Sequence, residues 1–105
     1  NAAEILMEDA LALQEAGCFS IVLEKVESTL AARISQALRI PTIGIGSGSD
    51  TDGQVLVNMD MLGLFEDFKP AFVRHFASLA ETVREATRDY VEAIRDGDFP
   101  SKDEV

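Results

Sequence analysis

Basic residues are scarce in this chain. Its 105 residues include 9 Lys and Arg against 19 Asp and Glu, which gives a formal net charge of −10 at pH 7. A phosphate backbone and an anionic membrane surface are both repelled by such a charge, and no basic stripe offsets it. We therefore expect no nucleic-acid partner and no membrane partner.

Cysteine and long apolar segments are also lacking. The single cysteine, Cys18, has no second cysteine with which to form an internal disulfide, as is typical of a reducing compartment. The longest apolar runs, residues 19–23 and 40–45, fall far short of the roughly 18 to 20 residues of a spanning helix, and the N-terminus resembles no signal peptide. We expect a cytoplasmic protein.

Helical and strand-like segments alternate along the chain. The pattern predicts helices over residues 2–16 and 28–38, strands over residues 18–23, 42–46 and 54–57, and a last helical region over residues 70–97. That region fits one helix starting at Pro70, or two helices that break near Ala80. Strands alternating with helices predict an α/β fold with a parallel sheet, in one unit of residues 1–105.

Three strands are few for this class. Both faces and both edges of a parallel sheet need cover, and the chain starts with a helix, as though a strand preceded it. We therefore expect the chain to be part of a larger sheet.

Glu24 is the first candidate for chemistry. It directly follows the apolar run of residues 19–23, which predicts a strand covered on both faces. Functional groups of parallel α/β folds collect at the carboxyl ends of strands, where a carboxylate can act as a general base. The alternatives are a solvated loop residue or an ion-pair partner of Lys25.

The glycines at positions 44, 46 and 48 form a second candidate. The spacing fails the dinucleotide fingerprint, because Ser49 and Thr51 stand where a third glycine would be needed. Two interpretations remain open. The loop allows close approach to a ligand or a neighbouring loop, with N–H groups available to an anion, or it is a tight turn that needs positive φ.

Three aspartates near that loop, Asp50, Asp52 and Asp60, match no calcium-loop spacing, and we interpret them as turn and capping residues. His75 has no second ligand at a suitable spacing. Cys18 has no histidine partner and is interpreted as a small core residue. The residues therefore predict no metal site.

Three stretches carry a resemblance to a known family. They are residues 21–26, Ile-Val-Leu-Glu-Lys-Val, residues 40–48, Ile-Pro-Thr-Ile-Gly-Ile-Gly-Ser-Gly, and residues 51–57, Thr-Asp-Gly-Gln-Val-Leu-Val. Together with residues 67–73 and 97–100 they resemble the C-terminal part of the ketopantoate hydroxymethyltransferases. The resemblance covers nearly the whole chain.

The resemblance implies the C-terminal portion of a (β/α)₈ barrel and a defined reaction. An enzyme of this family takes a proton from C3 of 3-methyl-2-oxobutanoate and adds the enolate to the one-carbon unit of 5,10-methylenetetrahydrofolate, in pantothenate synthesis. The keto acid and the folate are its small-molecule partners, Mg²⁺ supports the enolate, and the enzyme is a homo-oligomer. The proposed base carries over onto Glu24, and substrate contacts are expected at Gly46, Ser47 and Gly48.

The chain departs from the family pattern at several points. Glu27 stands where the family usually has proline, which predicts a less rigid and more negative loop, and Ser47 stands where alanine is common. A barrel needs about 200 residues or more, so the magnesium ligands are expected in an N-terminal half outside this chain. Alone, the chain is expected to be inactive and to self-associate. The alternative is a non-catalytic half-barrel that acts as an oligomeric structural or anion-binding module.

Overall fold

A computed structural model describes all residues from Asn1 to Val105. The chain divides into two compact units, Asn1–Leu56 and Val57–Val105, and the single unit of residues 1–105 within a larger fold stays a prediction. No helix in either unit is both long and apolar enough to cross a bilayer.

The first unit contains a small parallel sheet with two helices. Its elements in chain order are α1 (Ala2–Glu15), β1 (Ile21–Glu24), α2 (Ser28–Ala37), β2 (Thr42–Ile45) and β3 (Gly53–Gln54). The three strands lie in the order β1-β2-β3, and both pairings are parallel. The prediction of an α/β fold with parallel strands is confirmed.

Helix α1 begins and ends where its sequence signals lie. The Asn1 side chain accepts a hydrogen bond from the backbone N–H of Glu4, and the Glu4 carboxylate accepts one from the amino group of Asn1. This capping box satisfies donors that a helix start leaves without partners. Beyond the last turn, Gly17 adopts a φ of 101°, a left-handed conformation in which glycine is favoured.

The core of the first unit lies on one face of the sheet. Ile21 and Leu23 of β1 pack with Ala10 of α1 and with Ala31 and Ile34 of α2. Because side chains alternate along a strand, Val22 and Glu24 point to the other face, where both are exposed. Both helices of this unit therefore cover the same face of β1, and nothing within residues 1–105 covers the other face, for which the expected cover stays a prediction.

The strand bounds differ from the predicted ones. Residues 18–20 precede β1 instead of forming part of it, and Ser20 donates its hydroxyl to the carbonyl of Pro41. The third strand spans two residues in place of the four predicted over residues 54–57. After Gln54, only the N–H of Val55 continues the pairing, by donating to the carbonyl of Gly44.

The second unit consists mainly of one helix. Its elements are α3 (Asn58–Met61), α4 (Leu79–Arg95) and a 3₁₀ turn (Lys102–Glu104). Helix α4 starts nine residues after Pro70 (79 − 70 = 9), so the predicted helix start at Pro70 is wrong. Gly97, with a φ of 75°, follows the end of α4 as expected.

The segment before α4 is held by longer-range backbone bonds. The N–H groups of Phe76 and Leu79 donate to the carbonyls of Met61 and Leu62. Gly63 has a φ of 66°, and a Cβ at that position would overlap the carbonyl oxygen of Ala77. The N–H of Phe76 is therefore already hydrogen-bonded to Met61 and is not available to a helix that starts at Pro70.

Candidate functional site

The carboxylate of Glu24 lies at the carboxyl end of β1, on the open face of the sheet. Glu24 is in register with Ile45, the last residue of β2. Its side chain is exposed and forms no ion pair with Lys25 or with any other residue. The predicted base is therefore at a strand end and available to a ligand.

The chain bends sharply directly after Glu24. Lys25 is the one non-glycine residue with positive φ, 52°, and its N–H donates to the carbonyl of Ile45 at 2.8 Å. Since residues other than glycine and asparagine disfavour this conformation, the bend needs support from its surroundings.

A cleft of about 240 Å³ borders Glu24 between α1 and the free edge of β1. Its wall is mostly apolar, and Asp9 of α1 adds a second carboxylate. We did not predict Asp9 from the sequence. The signal was present, because Leu6, Asp9 and Leu13 follow one another at spacings of three and four residues and so share a helix face.

The loop after β2 lies beside the bend after β1. Ser47 is 2% exposed, and its hydroxyl donates to the carbonyl of Leu23 at 2.7 Å and accepts from the N–H of Val26 at 3.0 Å. A Cβ at Gly48 would lie 2.7 Å from the Cβ of Ser28, and Gly48 has a φ of 83°. The loop therefore needs glycine both for close approach and for its backbone conformation.

Substrate contact at this loop stays a prediction. The buried hydroxyl of Ser47 is directed at the protein backbone, whereas the backbone N–H groups of Ser47 and Gly48 donate to no other group of the chain. N–H groups of this kind suit an anionic ligand. The carbonyl of Gly48 is engaged by the side-chain amide of Gln54 at 2.8 Å, which orients the loop from its far side.

Asp52 is a structural residue in this fold. One of its carboxylate oxygens accepts from the N–H of Thr42 at 2.8 Å and from the Thr42 hydroxyl at 3.2 Å. Thr42 in turn shares a hydrogen bond of 2.6 Å with the Ser35 hydroxyl. This network joins the start of β2 to α2 and to the chain before β3, at the end of the sheet opposite Glu24.

The chain does not offer a ligand set for a metal. No group of three or more histidine, cysteine, aspartate or glutamate side chains is arranged to hold an ion. Asp50 and Asp60 therefore join no such cluster, and the magnesium that the resemblance implies does not fit residues 1–105. Cys18 packs against the core of the first unit, as expected.

A second cleft, of about 270 Å³, lies within the second unit. His75 borders it, and its Nε2 atom is buried without a hydrogen-bond partner. Arg84 pairs with Glu66 at 2.6 Å and with Glu81 at 2.8 Å, and the hydrogen bond from Arg84 is the main cause of a lowered pKa at each carboxylate. Both carboxylates are engaged by Arg84 in exposed ion pairs, which contribute little to stability.

Glu27 caps α2, whose first residue is Ser28. Its carboxylate accepts from the N–H groups of Thr29 and Leu30, each at 3.0 Å. These backbone hydrogen bonds favour the charged form and hold the pKa of Glu27 below its ordinary value. The expectation of a less rigid loop is thus not supported, because the added negative charge ties the loop to the helix start.

This cap predicts a pH-dependent stability difference. A group with a lowered pKa in the folded state stabilises the fold above its unfolded pKa, about 4.3 for glutamate, and loses that effect as the pH falls through the folded value. We expect Glu27→Ala to lower the melting temperature at pH 7 and the difference from the parent to shrink as the pH falls below about 4. Thermal melts followed by circular dichroism at several pH values measure it. An equal difference at pH 7 and pH 3 would contradict the role of the charge.

Comparison with known proteins gives a consistent result. The family model described as "Ketopantoate hydroxymethyltransferase" matches residues 1–102. A protein of Aliarcobacter butzleri named 3-methyl-2-oxobutanoate hydroxymethyltransferase is 57% identical over 101 residues, which are 96% of this chain and 38% of the relative. A protein of the same name from Chlorobaculum tepidum is 56% identical over 99 residues, 94% of this chain and 36% of the relative.

A third relative of that name, from a Nitratiruptor species, is 52% identical over 101 residues, 96% of this chain and 39% of the relative. The chain thus spans less than two fifths of the length of each of these relatives. The matched part includes Glu24, the loop of Gly46, Ser47 and Gly48, and α4.

Proposed function

Because the chain belongs to the ketopantoate hydroxymethyltransferase family, we propose that it carries the general base of a 3-methyl-2-oxobutanoate hydroxymethyltransferase. The observation on which this rests is the position of Glu24. Its unpaired carboxylate ends a parallel strand on the sheet face that no helix covers. Strand ends of this kind are where α/β enzymes place their reacting groups.

The fold that we propose for the complete protein is a (β/α)₈ barrel, in which this chain is the C-terminal portion. In such a barrel every helix covers the outer face of the strands, whereas a doubly wound sheet has helices on both faces. Helices α1 and α2 share one face, which supports the barrel. Val22 and Glu24 then point towards the barrel interior.

The reaction assigned to Glu24 is removal of the C3 proton of 3-methyl-2-oxobutanoate. The carboxylate takes the proton, and the electron pair of the C–H bond moves into the enolate. One water molecule hydrolyses the methylene bridge of 5,10-methylenetetrahydrofolate: both C–N bonds break, the two nitrogens take the two water protons, and tetrahydrofolate leaves the one-carbon unit at the oxidation level of formaldehyde. The enolate carbon bonds to that carbon, and the resulting alkoxide takes the proton held by Glu24 to give the hydroxymethyl group of 2-dehydropantoate. A general base must lie within hydrogen-bond reach of the proton that it removes, and the unpaired carboxylate of Glu24 is the group that we propose for this role.

The complete protein that we propose is a cytoplasmic homo-oligomer. Apolar side chains on the surface of each unit support association: Phe19 is 88% exposed in the first unit, and Phe68 is 66% exposed in the second. Apolar surface of this extent is typical of protein contacts. A non-catalytic structural or anion-binding module is not favoured, since relatives at 52–57% identity are named as the transferase.

A chimera tests the proposed function. The 101 matched residues of the Aliarcobacter butzleri relative are replaced by those of this chain, which are 57% identical. We expect the chimera to form 2-dehydropantoate from the keto acid and the methylene folate, and to restore growth without pantothenate to a strain that lacks the transferase. Product is measured by mass spectrometry, and the oligomeric state by sedimentation.

The unmodified relative is the positive control. A chimera that folds and sediments like that relative but exchanges no C3 proton and forms no product would contradict the proposed function. A compact, monodisperse monomer would contradict the proposed homo-oligomer alone.

A further inference from the structure

The hydroxyl of Ser47 bridges the two backbone groups that flank the bend after Glu24. It donates to the carbonyl of Leu23, directly before Glu24, and accepts from the N–H of Val26, two residues after it. A hydroxyl has one donor and two acceptor sites, so the shorter bond to Leu23 at 2.7 Å takes the proton in preference to the carbonyl of Ile45 at 3.3 Å.

Glu24 depends on this backbone for its placement. Its carboxylate has no hydrogen-bond partner within the chain, so no side-chain contact fixes its direction. The bend contains the unfavourable φ of Lys25, 52°, which persists only where the surroundings hold it. Three hydrogen bonds hold it from the β2 side: the N–H of Lys25 donates to the carbonyl of Ile45, and the hydroxyl of Ser47 bonds to Leu23 and Val26.

We propose that Ser47 is a positioning residue for Glu24, which holds the bend after β1 so that the carboxylate keeps its direction at the strand end. This inference rests on the proposed function. Replacing Ser47 by alanine leaves the part-buried N–H of Val26 without its partner and frees the backbone on both sides of the base. A general base acts only within hydrogen-bond reach of its proton, so small shifts there are costly.

Two matched variants separate positioning from general stability. Ser35→Ala removes another part-buried hydroxyl of the first unit, which bonds to the carbonyl of Ala31 and to Thr42 at the opposite end of the sheet. Glu27→Pro fixes the backbone of the loop by another route, while it removes the carboxylate that caps α2. The φ of −54° at Glu27 suits proline, and the N–H that proline would remove donates no hydrogen bond.

The experiment measures exchange of the C3 proton with deuterated solvent, the KM for the keto acid and urea unfolding, all in the chimera. We expect Ser47→Ala to slow exchange about 10-fold, part of the 10²-fold that a 1 Å displacement can cost, with KM changed less than about twofold. Adding Glu27→Pro to Ser47→Ala restores exchange to within about threefold of the parent. Ser35→Ala lowers stability by a similar amount and leaves exchange within about twofold.

Exchange in Ser47→Ala at the parental rate, beside an inactive Glu24→Gln, would overturn this inference and leave the proposed function in place. Equal slowing of exchange in Ser47→Ala and Ser35→Ala would also overturn it, since the effect would then follow stability. A folded parent chimera without exchange would overturn the proposed function and this inference together.

Discussion

Replacing Glu24 by glutamine in the chimera is expected to slow exchange of the C3 proton by about 10² to 10⁴-fold, the usual contribution of a general base. Glutamine keeps the shape of the side chain and most of its hydrogen-bonding capacity but cannot accept the proton as a base. Binding of the keto acid is expected to change little. The rate is measured by following the C3–H signal of the keto acid by NMR in deuterium oxide.

Glu85→Gln is the matched control, because Glu85 is an exposed glutamate of α4 that pairs with no cation. Its exchange rate is expected to equal that of the parent. Near-parental exchange in Glu24→Gln would remove Glu24 from the mechanism and leave it as a loop carboxylate. Loss of exchange together with loss of keto-acid binding would instead make Glu24 a substrate-positioning group.

The largest loss of stability is expected from Ile34→Ala. Ile34 has no exposed surface and lies in α2, in the core that joins both helices to β1. Truncation of a buried isoleucine to alanine leaves a cavity and typically costs about 2–5 kcal/mol. We expect a loss of this size in the free energy of unfolding of the 105-residue chain, measured in urea by circular dichroism at micromolar concentration.

Ile5→Ala provides the comparison. It is the same substitution in the other helix of the sheet face, at a side chain that is 58% exposed, and surface substitutions usually change stability by less than about 0.5 kcal/mol. Equal losses in the two variants would show that burial in this core does not govern the stability of the chain.

The sequence predicted the elements of the first unit well because their signals are local. The helix predicted from residue 2 begins at Ala2, where Asn1 and Glu4 form its cap, and the apolar run before Glu24 predicted a strand. The same run gave no sign that both helices lie on one face, since alternation within four residues does not say what covers each side. That arrangement depends on packing between elements distant in the chain.

The second unit was predicted less well for a related reason. Residues 70–78 have helical spacing of apolar side chains, yet the N–H of Phe76 donates to the carbonyl of Met61, a contact that no local pattern predicts. At the candidate site, the position of Glu24 could be read from the sequence. The bridging hydroxyl of Ser47 could not, because it connects residues 21 and 24 positions apart in the chain.

The register of β1 limits how this part of the chain can change in length. Glu24 pairs with Ile45 and faces the open side, while Leu23 faces the helices. One residue inserted or deleted within β1 would rotate the carboxylate into the helix-covered core and bring an apolar side chain to the open face. Residues 18–20, which connect α1 to β1, are irregular and can absorb such a change. Within β1 only a change of two residues keeps each side chain on its face. Natural length variation is therefore expected in residues 18–20 and not in the strand.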